Sequence, residues 1–172
     1  MKKLTRIADH LKQSEAFYFT SAARVPEGRW LEAPAKGGWS AGEISAHVAM
    51  IEERILSRIA KTLEKPPVFV PLWKQFHLPV WLAASRGRRV QSPIPLDPAM
   101  VVEKRASLAR VSTARIATLA FMECCVVRDL GKYRLPHPFM GSFTIYDWLF
   151  FIGFHQERHA KQILQFVETF HS

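Results

Sequence analysis

Two histidines, His155 and His159, stand four residues apart in the sequence FHQERH, residues 154–159. If this segment is helical, both imidazoles project from one helical face and can bind a divalent metal with a third ligand. His47 lies in a separate segment of helical periodicity and is the predicted third ligand. Three neutral ligands leave the metal its positive charge and at least one open position. Such a metal can lower the pKa of bound water, polarise a carbonyl or hold a thiolate.

The alternative is that these histidines are core residues with ordinary hydrogen-bond partners. A neutral imidazole carries one donor and one acceptor, and leaving either buried and unpaired costs about 1–3 kcal/mol. Three imidazoles on two facing helices would need several separate partners, whereas one divalent ion satisfies a nitrogen on each ring. The pattern differs from the zinc-protease helix, in which a glutamate directly follows the first histidine. Here Gln156 takes that place.

Helical spacing also predicts residues around the metal ligands. Glu43 stands four residues before His47, and Gln162 three after His159, so each can orient a ring through its second nitrogen. For Glu43 the alternative is a role in capping the helix.

The sequence also contains candidates for acid–base catalysis and for the walls of a pocket. Tyr146 and Glu157 are the nearest acid–base candidates in sequence. Trp39, Trp148 and Phe151 are candidates for the walls of a pocket, with plain core packing as the alternative.

Four segments show the apolar periodicity of helices. We predict helices from Leu4 to Arg24, from the capping box of residues 40–43 to the prolines at 66–67, from the Asp97-Pro98 start to about residues 125–128, and from a second capping box at residues 144–147 to about Phe170. The second apolar stripe contains His47, with Glu52, Arg54 and Arg58 on the opposite face. The third stripe contains Ile116, and the last contains His155 and His159. Residues 135–141 are predicted to be a loop. Residues 66–97 form a proline-rich crossover with one short turn around residues 73–85, and its aromatic content suggests that this segment packs onto the bundle. The sequence thus predicts an all-α four-helix bundle, with residues 1–172 as a single domain.

Composition narrows the class of protein further. A chain of 172 residues with 48% hydrophobic residues can bury a core without disulfides. The N-terminus lacks the apolar run of a secretory signal, and no segment has the roughly 18 apolar residues of a membrane span. No membrane partner is therefore predicted. Cys124 and Cys125 are the only cysteines, and adjacent cysteines rarely bond to each other. They favour small, buried, reduced side chains over a reactive thiol pair, and hence a cytoplasmic protein.

The formal net charge of +9 fits an ordinary basic surface. Lysines and arginines, Arg115 among them, are spread along the chain. The one tight cluster, residues 86–89, lies in the proline-rich crossover without an aromatic stacking pattern, so no nucleic-acid partner is predicted.

Three stretches resemble the DinB-like (YfiT-like) family of metal-dependent proteins. They are GWSAGEI (residues 38–44) followed by His47, residues 137–144, and residues 148–162 with His155, Arg158, His159 and Gln162. The resemblance implies an up-up-down-down bundle with one ligand histidine on the second helix and two on the fourth, which are His47, His155 and His159 here. It implies zinc or nickel as the divalent ion, with iron or manganese as alternatives, and a homodimer. Some relatives are transferases that use low-molecular-weight thiols such as mycothiol or bacillithiol, and many are labelled hydrolases.

The sequence therefore predicts a metal-dependent enzyme that acts on a small molecule. In a thiol-dependent transferase, the metal would stabilise a thiolate that attacks an electrophile. In a hydrolase, an activated water would attack an ester or amide. The alternative from another class is a non-catalytic helical binding or stress-response module with a structural or vestigial metal site.

Overall fold

The computed structural model describes residues 2–35, 37–86 and 94–168. Its long helices are α1 (Lys2–Ala23), α2 (Ala41–Leu63), α3 (Lys104–Cys124) and α4 (Ile145–Glu168), and its strands are β1 (Arg134–His137) and β2 (Gly141–Thr144). The predicted all-α four-helix bundle is confirmed. The predicted end of the last helix at Phe170, and most of the basic cluster at residues 86–89, lie outside the described residues. Within the described ranges, no helix combines the length and apolarity needed to cross a membrane.

Both histidine-bearing helices begin at the predicted capping boxes. At α2, Ser40 Oγ accepts from the Glu43 amide at 3.1 Å, and the Glu43 carboxylate accepts from the Ser40 amide at 2.8 Å. At α4, the Thr144 amide donates to Asp147 Oδ2 at 2.9 Å, and the Asp147 amide donates to Thr144 Oγ1 at 3.2 Å. These reciprocal bonds satisfy first-turn amides and set where each helix starts.

The start of α3 differs from the prediction. Asp97 does cap a turn, since its carboxylate accepts from the Ala99 amide at 2.9 Å, but the turn is a short 3₁₀ helix, Pro98–Met100. The chain is extended again at Val101, with φ −89° and ψ 105°, so the α-helix begins only at Lys104.

Contacts between helix ends give the direction of each helix. Tyr18 Oη lies 2.7 Å from Ser45 Oγ, so the end of α1 meets the start of α2. Arg128, just beyond α3, donates to the last carbonyl of α2 at 3.0 Å, and Lys3 lies 4.4 Å from the Tyr146 ring at the start of α4. The order is therefore up-down-down-up, not the up-up-down-down that the resemblance implies. The long crossover allows α2 and α3 to run parallel.

A buried charged network connects all four long helices. Arg115 of α3 is fully buried and donates to Glu52 of α2 at 3.1 Å, to Gln156 of α4 at 2.8 Å and to the Leu11 carbonyl of α1 at 2.8 Å. The predicted surface position of Arg115 and the predicted polar-face position of Glu52 are therefore wrong. Ile116, expected in the apolar stripe of α3, is 64% exposed instead. Arg115 and Glu52 can both be buried because they pair across α3 and α2, and a pattern of hydrophobic residues along one helix does not contain this pairing.

The crossover has more turns than expected. Its described residues contain two 3₁₀ turns, Leu72–Lys74 and Val80–Ala84, where one was predicted. The second turn packs on α4, as predicted for a crossover that packs onto the bundle, although the side chains of Trp73, Phe76 and Trp81 are 60–76% exposed. Leu82 and Ala83, in the second turn, face the bundle.

The predicted loop at residues 135–141 is instead part of a β-hairpin. The antiparallel pair of β1 and β2 brings His137 opposite Gly141. The crossover joins this hairpin, since Phe76 O accepts from the Ser142 amide at 3.2 Å and Met140 O from the Leu78 amide at 2.9 Å. Gly141 has φ +93°, and a Cβ there would collide with the Phe76 carbonyl oxygen. Glycine therefore permits the contact that holds the crossover beside α4.

Candidate metal centre

The structure brings the three predicted histidines together. Nε2 of His155 lies 3.2 Å from Nε2 of His47 and 3.2 Å from Nε2 of His159. One ligand nitrogen from each ring lies within 4.8 Å of the others. His47 is 5% and His159 7% exposed, whereas His155 keeps some exposure to a neighbouring cavity. Helix α2 supplies one ring and α4 the other two, so this cluster could hold a metal ion.

The nitrogen separations fit a common ion. Two imidazole nitrogens bound tetrahedrally at the usual zinc distance lie about 3.3 Å from each other. The two measured separations of 3.2 Å are close to that value. The donor set is three imidazoles, which suits zinc, nickel, iron and copper.

The positions of the protons on the His159 and His155 rings also favour a shared metal ion. Nδ1 of His159 lies 2.9 Å from Oε1 of Gln162, an acceptor, so the proton of a neutral His159 is on Nδ1 and its Nε2 presents a lone pair. Nε2 of a neutral His155 has either one proton or one lone pair. It can therefore form a normal hydrogen bond with only one of its two neighbours. A metal ion would accept the lone pairs of all three nitrogens.

Burial keeps the three rings uncharged. It lowers the pKa of His47 to about 4. Burial also lowers the pKa of His155 and of His159 well below the usual value, and repulsion from the other imidazoles of the cluster adds to this. Neutral rings at physiological pH have lone pairs ready for a metal.

Of the two predicted orienting residues, one contacts its histidine. Gln162 makes the predicted contact with His159. Glu43 does not reach His47, because its carboxylate completes the capping box, which is the alternative that the sequence left open. Nδ1 of His47 is buried and has no hydrogen-bond partner among the described residues. Its ring lies instead 4.8 Å from the Trp39 ring.

A cavity of about 670 Å³ opens beside the cluster. The three predicted wall aromatics, Trp39, Trp148 and Phe151, all line it. Sequence reasoning assigned no pocket role to four other lining residues, Arg54, Arg58, His137 and Arg158, although the last two lie in the stretches that resemble the family. The predicted position of the two α2 arginines opposite His47 is wrong, because they follow His47 by seven and eleven residues and so repeat close to its helical face.

His137 belongs to this wall through the hairpin. Its ring centroid lies 4.8 Å from that of Phe151 and 5.2 Å from that of Trp148. Its Nδ1 accepts from the Phe139 amide at 3.1 Å, so the proton of the neutral ring is on Nε2. Burial, with a smaller contribution from Arg58, lowers the pKa of His137 to about 4.

The predicted acid–base residues lie elsewhere. Glu157 points toward α1, where its Oε1 is 3.6 Å from Nδ1 of His10, and the Tyr146 ring lies beside Lys3. Gln156 faces the buried Arg115 network. Among the described residues that line the cavity there is no aspartate or glutamate.

The two cysteines differ from each other. Cys125 is buried as predicted, and burial raises the pKa of its thiol, whereas Cys124 is exposed, contrary to the prediction. A raised pKa disfavours the thiolate form. Neither cysteine is among the described residues that line the cavity.

The fold and the cluster define a class: four-helix-bundle proteins with three histidines that could hold a metal ion beside an apolar cavity. The sequence model of the DinB superfamily matches residues 10–163, and the chain belongs to this family. It is also 25% identical over 144 residues to the uncharacterized protein YuaE of Bacillus subtilis (strain 168), which covers 78% of this chain and 81% of YuaE. No solved structure matches the chain.

Proposed function

We propose that the histidine cluster binds a divalent metal and that the protein is a metal-dependent enzyme acting on a small molecule. The observation that carries this proposal is the approach of three Nε2 atoms from two helices to one point, at separations that suit a shared ion. Zinc and nickel are the proposed metals, with iron or manganese as alternatives, because imidazole suits several of them.

The cavity supports an enzyme over a structural metal site. A structural zinc site is usually closed by four protein ligands, whereas a catalytic site keeps a position open. The cluster supplies three ligands, and His155 is partly exposed to the cavity. A volume of about 670 Å³ lies within the range of small-molecule sites.

Within this function we favour a thiol-dependent transferase. A bound metal would supply Lewis-acid stabilisation of a thiolate or polarise an electrophile. The chain's own residues bind and orient the reactants, since aromatic side chains form the wall and arginines lie around it. A hydrolase needs a general base near the reacting water, and the predicted bases, Tyr146 and Glu157, lie away from the cavity.

Elemental analysis of the purified protein is the first test. About one divalent ion per chain, removed by chelator and lost in the triple variant His47→Ala, His155→Ala, His159→Ala, is the expected result. Turnover is then measured with a panel of bacterial thiols and electrophiles, and with plain esters. Thiol-dependent turnover supports the transferase, and thiol-independent ester cleavage supports the hydrolase.

The non-catalytic module is tested in the same samples. A protein that contains no metal, and whose stability ignores both chelator and added metal, would support that alternative. A triple variant that kept metal and activity would refute the proposed site.

A further inference from the structure

The cavity is apolar but its charged lining is entirely cationic. Arg54 and Arg58 of α2 and Arg158 of α4 line it, and no carboxylate does so among the described residues. The rest of the wall is largely aromatic and aliphatic, including Trp39, Trp148 and Phe139.

The two α2 arginines lie on one stripe with a metal-site histidine. At about 100° per residue, Arg54 is about 20° short of two full turns from His47, and Arg58 is about 20° beyond three turns. The rise of the helix places them about 10 Å and 16 Å along the axis from His47. His47 is buried and both arginines are exposed. The histidines therefore lie in the more buried part of the cavity lining, and the two arginines in its more exposed part.

Neither Arg54 nor Arg58 forms an ion pair with a carboxylate of the described residues. Glu53, the sequence neighbour of Arg54, is bound to Arg110 of α3 through two hydrogen bonds of 2.9 and 2.7 Å. Arg58 lies 5.7 Å from the centre of the Trp148 ring. A cation beside an apolar wall attracts an anion more strongly than one fully in water.

We propose that the substrate is an organic acid: an apolar, ring-containing body with an anionic group such as a carboxylate at one end. The anionic group contacts Arg54 and Arg58, and the other end of the molecule reaches the histidine cluster. A body of about 10 Å spans the axial distance from His47 to Arg54. This inference rests on the proposed metal-dependent enzyme and adds the class of substrate and the residues that select it.

The test compares two ligands of the same shape. Binding of 2-naphthoate and of the uncharged 2-naphthamide is measured by titration calorimetry, with zinc-supplemented protein. The wild type is expected to prefer the naphthoate. The double variant Arg54→Gln, Arg58→Gln should bind the naphthoate about tenfold more weakly, since an exposed charge pair contributes modestly, and the amide should be unchanged within about twofold. Arg105→Gln removes an exposed α3 arginine that does not line the cavity, and it should leave both affinities unchanged.

A carboxylate could also bind a metal directly, so His155→Ala is included to weaken the metal site. The effect of the arginine substitutions should persist in that background. Equal affinity of the wild type for the two ligands would overturn the inference, as would an unchanged naphthoate affinity in the double variant. An equal loss in Arg105→Gln would overturn it too, because the effect would then be one of net charge. If the proposed metal-dependent function is wrong, the protein contains no metal but the arginine substitutions still weaken naphthoate binding. Failure of the proposed function and failure of this inference therefore give different results.

Discussion

Replacing His155 by alanine should abolish the stabilisation of the protein by metal. His155 is the central residue of the histidine cluster, since its Nε2 lies 3.2 Å from both other Nε2 atoms. At free metal 100 times above Kd, binding stabilises the folded state by about 2.7 kcal/mol. For a chain of 172 residues this raises Tm by about 8 °C. The His155→Ala variant should show almost none of this shift.

The same substitution should have little effect on the metal-free protein. Without an ion, only one of the two 3.2 Å contacts of His155 can be a normal hydrogen bond, so little favourable interaction is lost. The side chain also borders the cavity, so its removal leaves no closed void. We expect the metal-free Tm to change by less than about 3 °C, which corresponds to about 1 kcal/mol.

The assay is differential scanning fluorimetry of both proteins, with chelator and with added zinc or nickel. His77→Ala is the matched control, because His77 lies outside the cluster and contacts Asp147 at 3.8 Å. It should keep the full metal shift. The reasoning is refuted if His155→Ala keeps the shift. It is equally refuted if metal does nothing to the wild type while His155→Ala strongly destabilises the metal-free protein, since the imidazoles would then be structural.

Three further predictions follow from the buried polar groups. Gln162→Leu removes the acceptor that orients His159, so metal affinity should fall by about 10- to 100-fold with little change in unfolding free energy, as measured by calorimetry and urea titration. Acidification should destabilise the metal-free protein between pH 6.5 and about 4. The unfolded His47 gains a proton from pH 6.5 downward, but the folded one only near pH 4, so this residue contributes about 3 kcal/mol that is present above pH 6.5 and lost toward pH 4. Glu52→Leu leaves the buried Arg115 without its carboxylate and should cost about 3–5 kcal/mol in urea unfolding, whereas Glu52→Leu with Arg115→Leu should recover much of the loss.

Each of these predictions has its own control. Gln165→Leu, which removes a surface contact with Arg86, should leave metal affinity unchanged. His47→Leu should flatten the pH dependence of unfolding, and an unchanged slope would show that His47 is not the source. A single Glu52 variant as stable as the wild type would mean that the Arg115 pair contributes nothing.

Local sequence was enough to predict the helices and much of the site. Helical periodicity and two capping boxes placed α2 and α4, because these depend on residues three or four apart. The same periodicity put His155 and His159 on one face, and the separate His47 on the apolar face of another helix. Family resemblance pointed to the same three residues, and membership of the DinB superfamily is confirmed.

Other features depend on partners distant in the chain. Arg115 and Glu52, 63 residues apart, are polar in any local pattern, and only the packing of α2 on α3 makes them a buried pair. The hairpin at residues 134–144 has prolines and a glycine typical of a loop, and it forms with the crossover joined to Gly141.

The sequence by itself determined which side chains could bind a metal, because ligand type and helical spacing are local properties. The tertiary structure decided how far apart the three nitrogens lie, which way Glu43 and Glu157 point, and that Arg54 and Arg58 border the same cavity as the histidines. These are distances between helices. They depend on how whole apolar faces pack together, and no short stretch of the chain encodes that packing.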